Sequence, residues 1–143
     1  MQNSLSDCNA SNNSLKAKIL LIEDEELIRE LYADALRHSG FELILVEDGE
    51  KGLEKWQQDK FSMLITDIGL PGMSGWEVIE SIRKKNNNVP IIIISGWGNQ
   101  VEFIRGKELN VSHILSKPID LLSLTSTINE CLHQTSQNIS ASN

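Results

Sequence analysis

Four short stretches of the chain are apolar at every position: residues 19–22, 43–46, 63–65 and 91–94. A run with no polar member has no face for water, which is the pattern of a strand covered on both sides in a parallel sheet. Residues 111–115 form a fifth, mixed run. Between the runs the apolar period changes from continuous to helical. Leu27, Ile28, Leu31, Tyr32, Ala35 and Leu36 predict a helix closed by Gly40. Leu53 and Trp56 predict a short one reaching Gln58, after a turn at Asp48-Gly49. Val78, Ile79 and Ile82 face inward from a helix over residues 74–85, and residues 86–88, all Asn, read as a loop. Residues 100–109 carry a poor apolar stripe of Val101, Ile104 and Glu108. Leu121, Leu124, Ile128 and Leu132 line one face of a last helix that Asp120 can cap.

Strand and helix alternate five times. That order predicts an α/β domain with five helices and a five-stranded parallel sheet covered on both faces, because each crossover is right-handed. Residues 1–15 and 135–143 are polar and are expected to be disordered tails around one domain at 16–134. The net charge of −7 and pI near 4.9 disfavour direct nucleic-acid binding and anionic membranes. Arg83-Lys84-Lys85 is too short to offset that charge and suits a helix C-terminus. Cys8 and Cys131 are far apart and form no redox or metal motif, which points to a reducing, cytoplasmic setting. There is no signal-peptide pattern and no run long enough to span a bilayer.

The polar residues that end the runs carry the candidate chemistry. Glu23 and Asp24 end the first, Asp67 the third, Ser95 the fourth and Lys117 the fifth. The C-terminal ends of parallel strands converge on one edge, where such sheets bind ligands. Each residue alone has an ordinary explanation: a helix start, a turn or a solvated charge. Their coincidence at separate strand ends is what carries weight. Carboxylates about 4 Å apart repel by about 4 kcal/mol at an effective dielectric near 20, so the cluster needs a cation. Hard oxygen donors without His or Cys favour Mg²⁺ over zinc or copper. A divalent ion and Lys117 would neutralise three acids. With a phosphoryl donor, a carboxylate can become the nucleophile of an acyl phosphate, and the Ser95 hydroxyl can bond a phosphoryl oxygen.

At these residues the chain resembles the receiver domain of two-component response regulators, from about Lys16 to His133. The matching stretches run from Ile19 to Glu25, from Thr66 to Gly75, then Ile94-Ser95-Gly96 and Ser116-Lys117-Pro118. The resemblance implies a doubly wound, flavodoxin-like sheet in the order 2-1-3-4-5 and a cis bond at Lys117–Pro118. It implies that Asp67 is the phosphoacceptor and that Asp24, Asp67 and the Gly69 carbonyl ligate Mg²⁺ directly, with Glu23 acting through water. Ser95 would be the switch hydroxyl and Lys117 the phosphate-binding lysine. Where the family often carries an aromatic residue three positions before that lysine, this chain has Ile114, with His113 before it as a surface strand-end residue.

The expected activity is that of a stand-alone phosphoacceptor. A histidine kinase or histidine phosphotransfer protein donates to Asp67, and the signal passes by relay or by binding a target on the face of the fourth helix, fifth strand and fifth helix. It is not an enzyme beyond its own phosphorylation and dephosphorylation. Two other readings stay open. One is a pseudo-receiver that only binds partners. The other is a Mg²⁺-dependent phosphohydrolase, although its usual second acid two residues after the nucleophile is Gly69 here. Gly69 and Trp97 also predict a long-lived phosphorylated form. The first offers no side chain to position water, and the second is an indole that could exclude it.

Overall fold

A computed structural model describes residues 17–85, 88–96 and 98–142, with side chains through residue 133. Five strands alternate with five helices. They are β1 (Lys18–Ile22), α1 (Glu26–His38), β2 (Glu42–Val46), α2 (Gly49–Gln58), β3 (Met63–Asp67), α3 (Gly75–Arg83), β4 (Ile91–Ser95), α4 (Gln100–Glu108), β5 (His113–Ser116) and α5 (Leu121–Ser142). The strands form one parallel sheet in the order β2-β1-β3-β4-β5, as expected.

Successive residues of a strand point to opposite faces, so each apolar run supplies two cores. Ile19, Leu21, Met63, Ile65, Ile92 and Ile94 meet Tyr32, Ala33 and Leu36 of α1 and Leu124, Ile128 and Cys131 of α5. Leu20, Ile22, Leu64, Ile91 and Ile93 meet Trp76, Val78, Ile79 and Ile82 of α3, with Leu53 and Trp56 of α2 at the margin. All five residues of β3 and all five of β4 are buried; ahead of the last position the one polar member of either strand is Thr66, whose hydroxyl donates to the Asp67 carbonyl at 2.9 Å.

Two elements differ from the sequence reading. Asp48 is not merely a turn residue: it caps α2, its carboxylate accepting from Lys51 N at 2.8 Å. The last strand is shifted to His113–Ser116, because Val111 N bonds Gly106 O in the turn that leaves α4. The last helix runs on past residue 134 to Ser142. No proline or glycine interrupts that segment, and a helix satisfies its own backbone groups without an apolar face to bury. The tail expected over 1–15 lies outside the described residues, as do Asn86, Asn87 and Trp97. Among the described residues no helix is long and apolar enough to cross a membrane.

The poor stripe of α4 has a structural counterpart. Its one buried residue is Gly106, while Val101, Phe103 and Ile104 are exposed. Polar links hold it instead. Arg105 Nη2 reaches Glu80 Oε2 of α3 at 2.9 Å, and its guanidinium lies 4.9 Å from the centre of the Trp76 ring. Arg83 of α3 donates to the carbonyls of Leu109 (2.7 Å) and Asn110 (2.9 Å) just past the end of α4. Arg83 ends α3, as a cation suits a helix C-terminus, but it is buried, and its charge also caps the neighbouring helix.

Candidate functional site

Strand register sets the site. Ile22 pairs with Thr66, so Glu23 follows onto the rim beside Asp67. Asp67 pairs with Ile94, and Ser95 pairs with Ser116, so Ser95 and Lys117 emerge on the same rim. Lys117 N also donates to Ser95 O at 2.8 Å, and the Lys117–Pro118 bond is cis, as the resemblance implied. Asp24, Asp67, Gly69, Ser95 and Lys117 line one depression of about 310 Å³, together with Glu25, Ile68, Gly96 and Glu102.

Both oxygens of Asp67 are engaged. Oδ1 accepts from Gly69 N at 2.9 Å and Oδ2 from Lys117 Nζ at 2.6 Å. Lys117 Nζ also stands 3.6 Å from Glu23 Oε1. The loop from Ile68 to Ser74 is pulled tight against the strand end, with Gly75 N bonded to Ile68 O at 3.1 Å. Gly69 has open space: a Cβ there would meet only Asp67 Oδ1, at 3.9 Å. Ile114 is half-buried and lies under α4, facing Gly106. His113 pairs with Glu130 at 3.3 Å, away from the site.

The two neighbouring acids at the first strand end divide sharply. Glu23 is 1 % exposed, whereas Asp24 faces solvent. Glu23 Oε2 accepts from Glu25 N at 3.0 Å, at the N-terminus of α1, and Arg29 Nη1 donates to the Glu23 carbonyl at 2.8 Å. Glu23 Oε1 is a buried oxygen with no hydrogen-bond partner. One oxygen each from Glu23, Asp24 and Asp67 lie within 4.8 Å of one another. An orphaned carboxylate oxygen inside a three-carboxylate cluster fits a hard divalent cation well.

Burial pushes the Glu23 carboxyl up, from an ordinary 4.5 to about 7; the charge of Asp67 adds to the rise, while the Glu25 N–H and Lys117 oppose it. For Lys117 burial works downward, but the hydrogen bond and charge of Asp67, with the charge of Glu23, prevail and raise it above its ordinary value. A carboxyl held high is the more protonated in the folded state between those limits. Its contribution to stability is therefore fully present below about 4.5 and gone above about 7. Without divalent cations, the thermal midpoint is expected to fall over that window. Glu23→Gln should flatten the fall and exceed the wild type by on the order of 2–3 kcal/mol near pH 8. Thermal melts of both proteins in metal-free buffer across pH test this, and equal slopes would rule it out.

All the residues expected at the site are on one rim except Trp97, which lies outside the described residues. One participant went unread. Glu102 of α4 accepts the Ser95 hydroxyl at 2.6 Å. Its signal was present: Asn99 three positions earlier is the N-cap, its side chain accepting from Glu102 N at 3.0 Å. A Glu in the third helical position usually turns back toward the cap.

Comparison with known proteins points to one family. The family profile described as the response regulator receiver domain matches residues 19–129. Response regulator RR06 of Streptococcus pneumoniae is 33% identical over 110 residues, covering 77% of this chain and 50% of that protein. Sensory transduction protein RegX3 of Mycolicibacterium smegmatis is 30% identical over 120 residues, covering 84% and 52%. The chain thus spans about half the length of the curated relatives it matches. Among solved structures, the chemotaxis response regulator CheY4 of Vibrio cholerae superposes with a TM-score of 0.76 at 26% identity, covering 81% of this chain and 98% of that one. A CheY-like receiver domain from Methanospirillum hungatei gives a TM-score of 0.82 at 23% identity, over 86% and 98%, and speaks for the fold alone.

Proposed function

This chain belongs to the response regulator receiver family of two-component signalling, and we propose that it works by accepting a phosphoryl group on Asp67. The observation that carries the reading is the Asp67 carboxylate, held on one oxygen by Gly69 N–H and on the other by Lys117 beside two further acids. An Asp67 oxygen attacks the phosphorus of a donor such as a phosphohistidine. The new O–P bond forms as the donor's P–N bond breaks, and the leaving imidazole keeps the electron pair. Gly69 N–H and Lys117 orient the carboxylate for that attack, and Lys117 can then turn to a phosphoryl oxygen. Asp24, Asp67 and the Gly69 carbonyl would hold Mg²⁺, with Glu23 through water; the ion supplies positive charge to the phosphoryl oxygens. The Ser95 hydroxyl is the donor placed to bond a phosphoryl oxygen once it arrives.

The donor in this reading is a histidine kinase or phosphotransfer protein acting in the cytoplasm. The target binds the face of α4, β5 and α5, where Val101, Phe103 and Ile104 leave apolar surface exposed. Relatives named as transcriptional regulators are matched over only about half their length, so what they act on remains theirs. Incubation with a small acyl phosphate and Mg²⁺, followed by intact-mass and peptide analysis, tests the proposal. One phosphoryl group on Asp67, labile to hydroxylamine, is the expected result. No gain in mass leaves the pseudo-receiver reading, and turnover of a generic phosphate ester would favour a phosphohydrolase.

Lys117→Ala should slow phosphorylation by roughly a hundredfold, since the carboxylate and the incoming phosphoryl group both lose their cationic partner. Magnesium affinity should hold near neutrality and tighten above about pH 8. Loss of Lys117 removes a competing cation, but it also removes a charge that holds the Glu23 carboxyl down. A magnesium titration at two pH values checks this, and a large loss of affinity at both would contradict it.

A further inference from the structure

We propose that Glu102 is a positioning residue that holds the Ser95 hydroxyl away from Asp67 and thereby opposes phosphoryl binding; this rests on the reading of Asp67 as phosphoacceptor. A serine hydroxyl has one proton to give. Here Ser95 Oγ donates it to Glu102 Oε1 at 2.6 Å. Gly98 N, in turn, donates to both Ser95 Oγ (3.0 Å) and Glu102 Oε1 (3.1 Å), closing a small ring of three groups. Ser95 is buried at the end of β4, and Glu102 lines the same depression as Asp67 and Lys117.

The ring is built rather than incidental. Gly98 has φ of +56°, and a Cβ there would stand 2.5 Å from Ser116 Oγ, so a glycine is needed to present that N–H. Asn99 caps α4 by accepting from Glu102 N at 3.0 Å, which sets the start of the helix. Glu102 then reaches back past the cap to Gly98 N and Ser95, toward the site. A phosphoryl oxygen on Asp67 competes for the same Ser95 proton that Glu102 now accepts. It also brings negative charge into a depression that Glu102 already lines. Both effects act in the same direction: Ser95 turns to the phosphoryl group only by leaving Glu102. Since Glu102 sits in the first turn of α4, that exchange releases the N-terminus of this helix from the site.

The test is beryllofluoride binding in the presence of Mg²⁺, followed by titration, for the wild type, Glu102→Gln, Glu102→Ala, Ser95→Ala and the two double variants. Glutamine keeps an acceptor for Gly98 N and Ser95 but loses the charge that strengthens the bond. Glu102→Gln is expected to tighten binding about three- to tenfold and Glu102→Ala by more. The thermal midpoint of Glu102→Gln should stay near the wild type, a result that separates positioning from simple helix capping. Against Ser95→Ala, the gain from Glu102→Gln should shrink to about twofold or less, because the shared proton is gone. Unchanged or weaker binding in both Glu102 variants, or an equal gain with and without Ser95, would overturn the proposal. A wild type that binds beryllofluoride while the Glu102 variants gain nothing defeats this inference alone. A wild type that neither binds it nor accepts phosphate defeats the phosphoacceptor reading, and this inference with it.

Discussion

Asp67→Ala is expected to lose phosphoryl acceptance from every donor, by more than about a hundredfold, while the fold stays intact. Neither neighbouring acid can substitute. Glu23 is buried, with one oxygen bound to Glu25 N, and Asp24 has no lysine against it among the described residues. The strand end does not depend on the Asp67 side chain: Ile68 N bonds Ile94 O at 3.1 Å and carries the register past it. Stability should hold or rise. The variant loses the repulsion between Asp67 and Glu23, while Lys117 keeps Glu23 as a partner at 3.6 Å. Intact-mass analysis after treatment with an acyl phosphate and Mg²⁺, together with a thermal melt, reads both outcomes. Label persisting in the variant at undiminished level would remove Asp67 from the mechanism. Label found on Ser95 would mean that the hydroxyl has a different role.

Gly75→Ala is expected to have the second largest effect, through backbone rather than chemistry. A Cβ at Gly75 would overlap the Asp67 carbonyl oxygen and stand 3.0 Å from Ile68 Cα. Main-chain atoms at a strand end cannot swing aside as a flexible side chain can. The first turn of α3 must therefore back away from β3, with a loss of at least about 2 kcal/mol. The loop that carries Gly69 N–H to Asp67 Oδ1 would move with it. A displacement of about 1 Å at the nucleophile can slow the reaction on the order of a hundredfold. Denaturant unfolding and phosphorylation rates would show both losses. Gly96→Ala serves as the stability control, since nothing lies within 4 Å of a Cβ there, and should change stability by less than about 0.5 kcal/mol. Equal effects at the two glycines would show that the close approach at Gly75 is not what matters.

The strands and most of the site could be read from the amino acids because each rests on a local rule. A run such as residues 91–94, with no polar member, can only be covered on both sides, and in a parallel sheet its end must open on the ligand-binding rim. Asp67, Ser95 and Lys117 were therefore legible as companions before any distance was known. The family resemblance then supplied the order of the strands and the cis bond, both of which the structure contains. Caps and ends were less legible. Asp48 belongs to the helix that follows it, and α5 continues without an apolar stripe, since hydrogen bonding along a helix does not need one.

What the sequence determined by itself was the alternation of elements and the set of acids, hydroxyl and lysine that one edge would gather. Tertiary structure alone decided how those groups differ from one another. Glu23 and Asp24 are adjacent acids, and only the packing at the start of α1 makes one a buried carboxyl whose pKa burial pushes up and leaves the other in water. Arg83 looks like any cation at a helix end until the end of α4 is brought against it. Glu102 looks like a helix-start acid until β4 delivers Ser95 to within 2.6 Å. Periodicity records which side of an element is apolar, but desolvation and hydrogen-bond partnership depend on which other elements arrive at the same place, and residues distant in the chain set that only once the fold has formed.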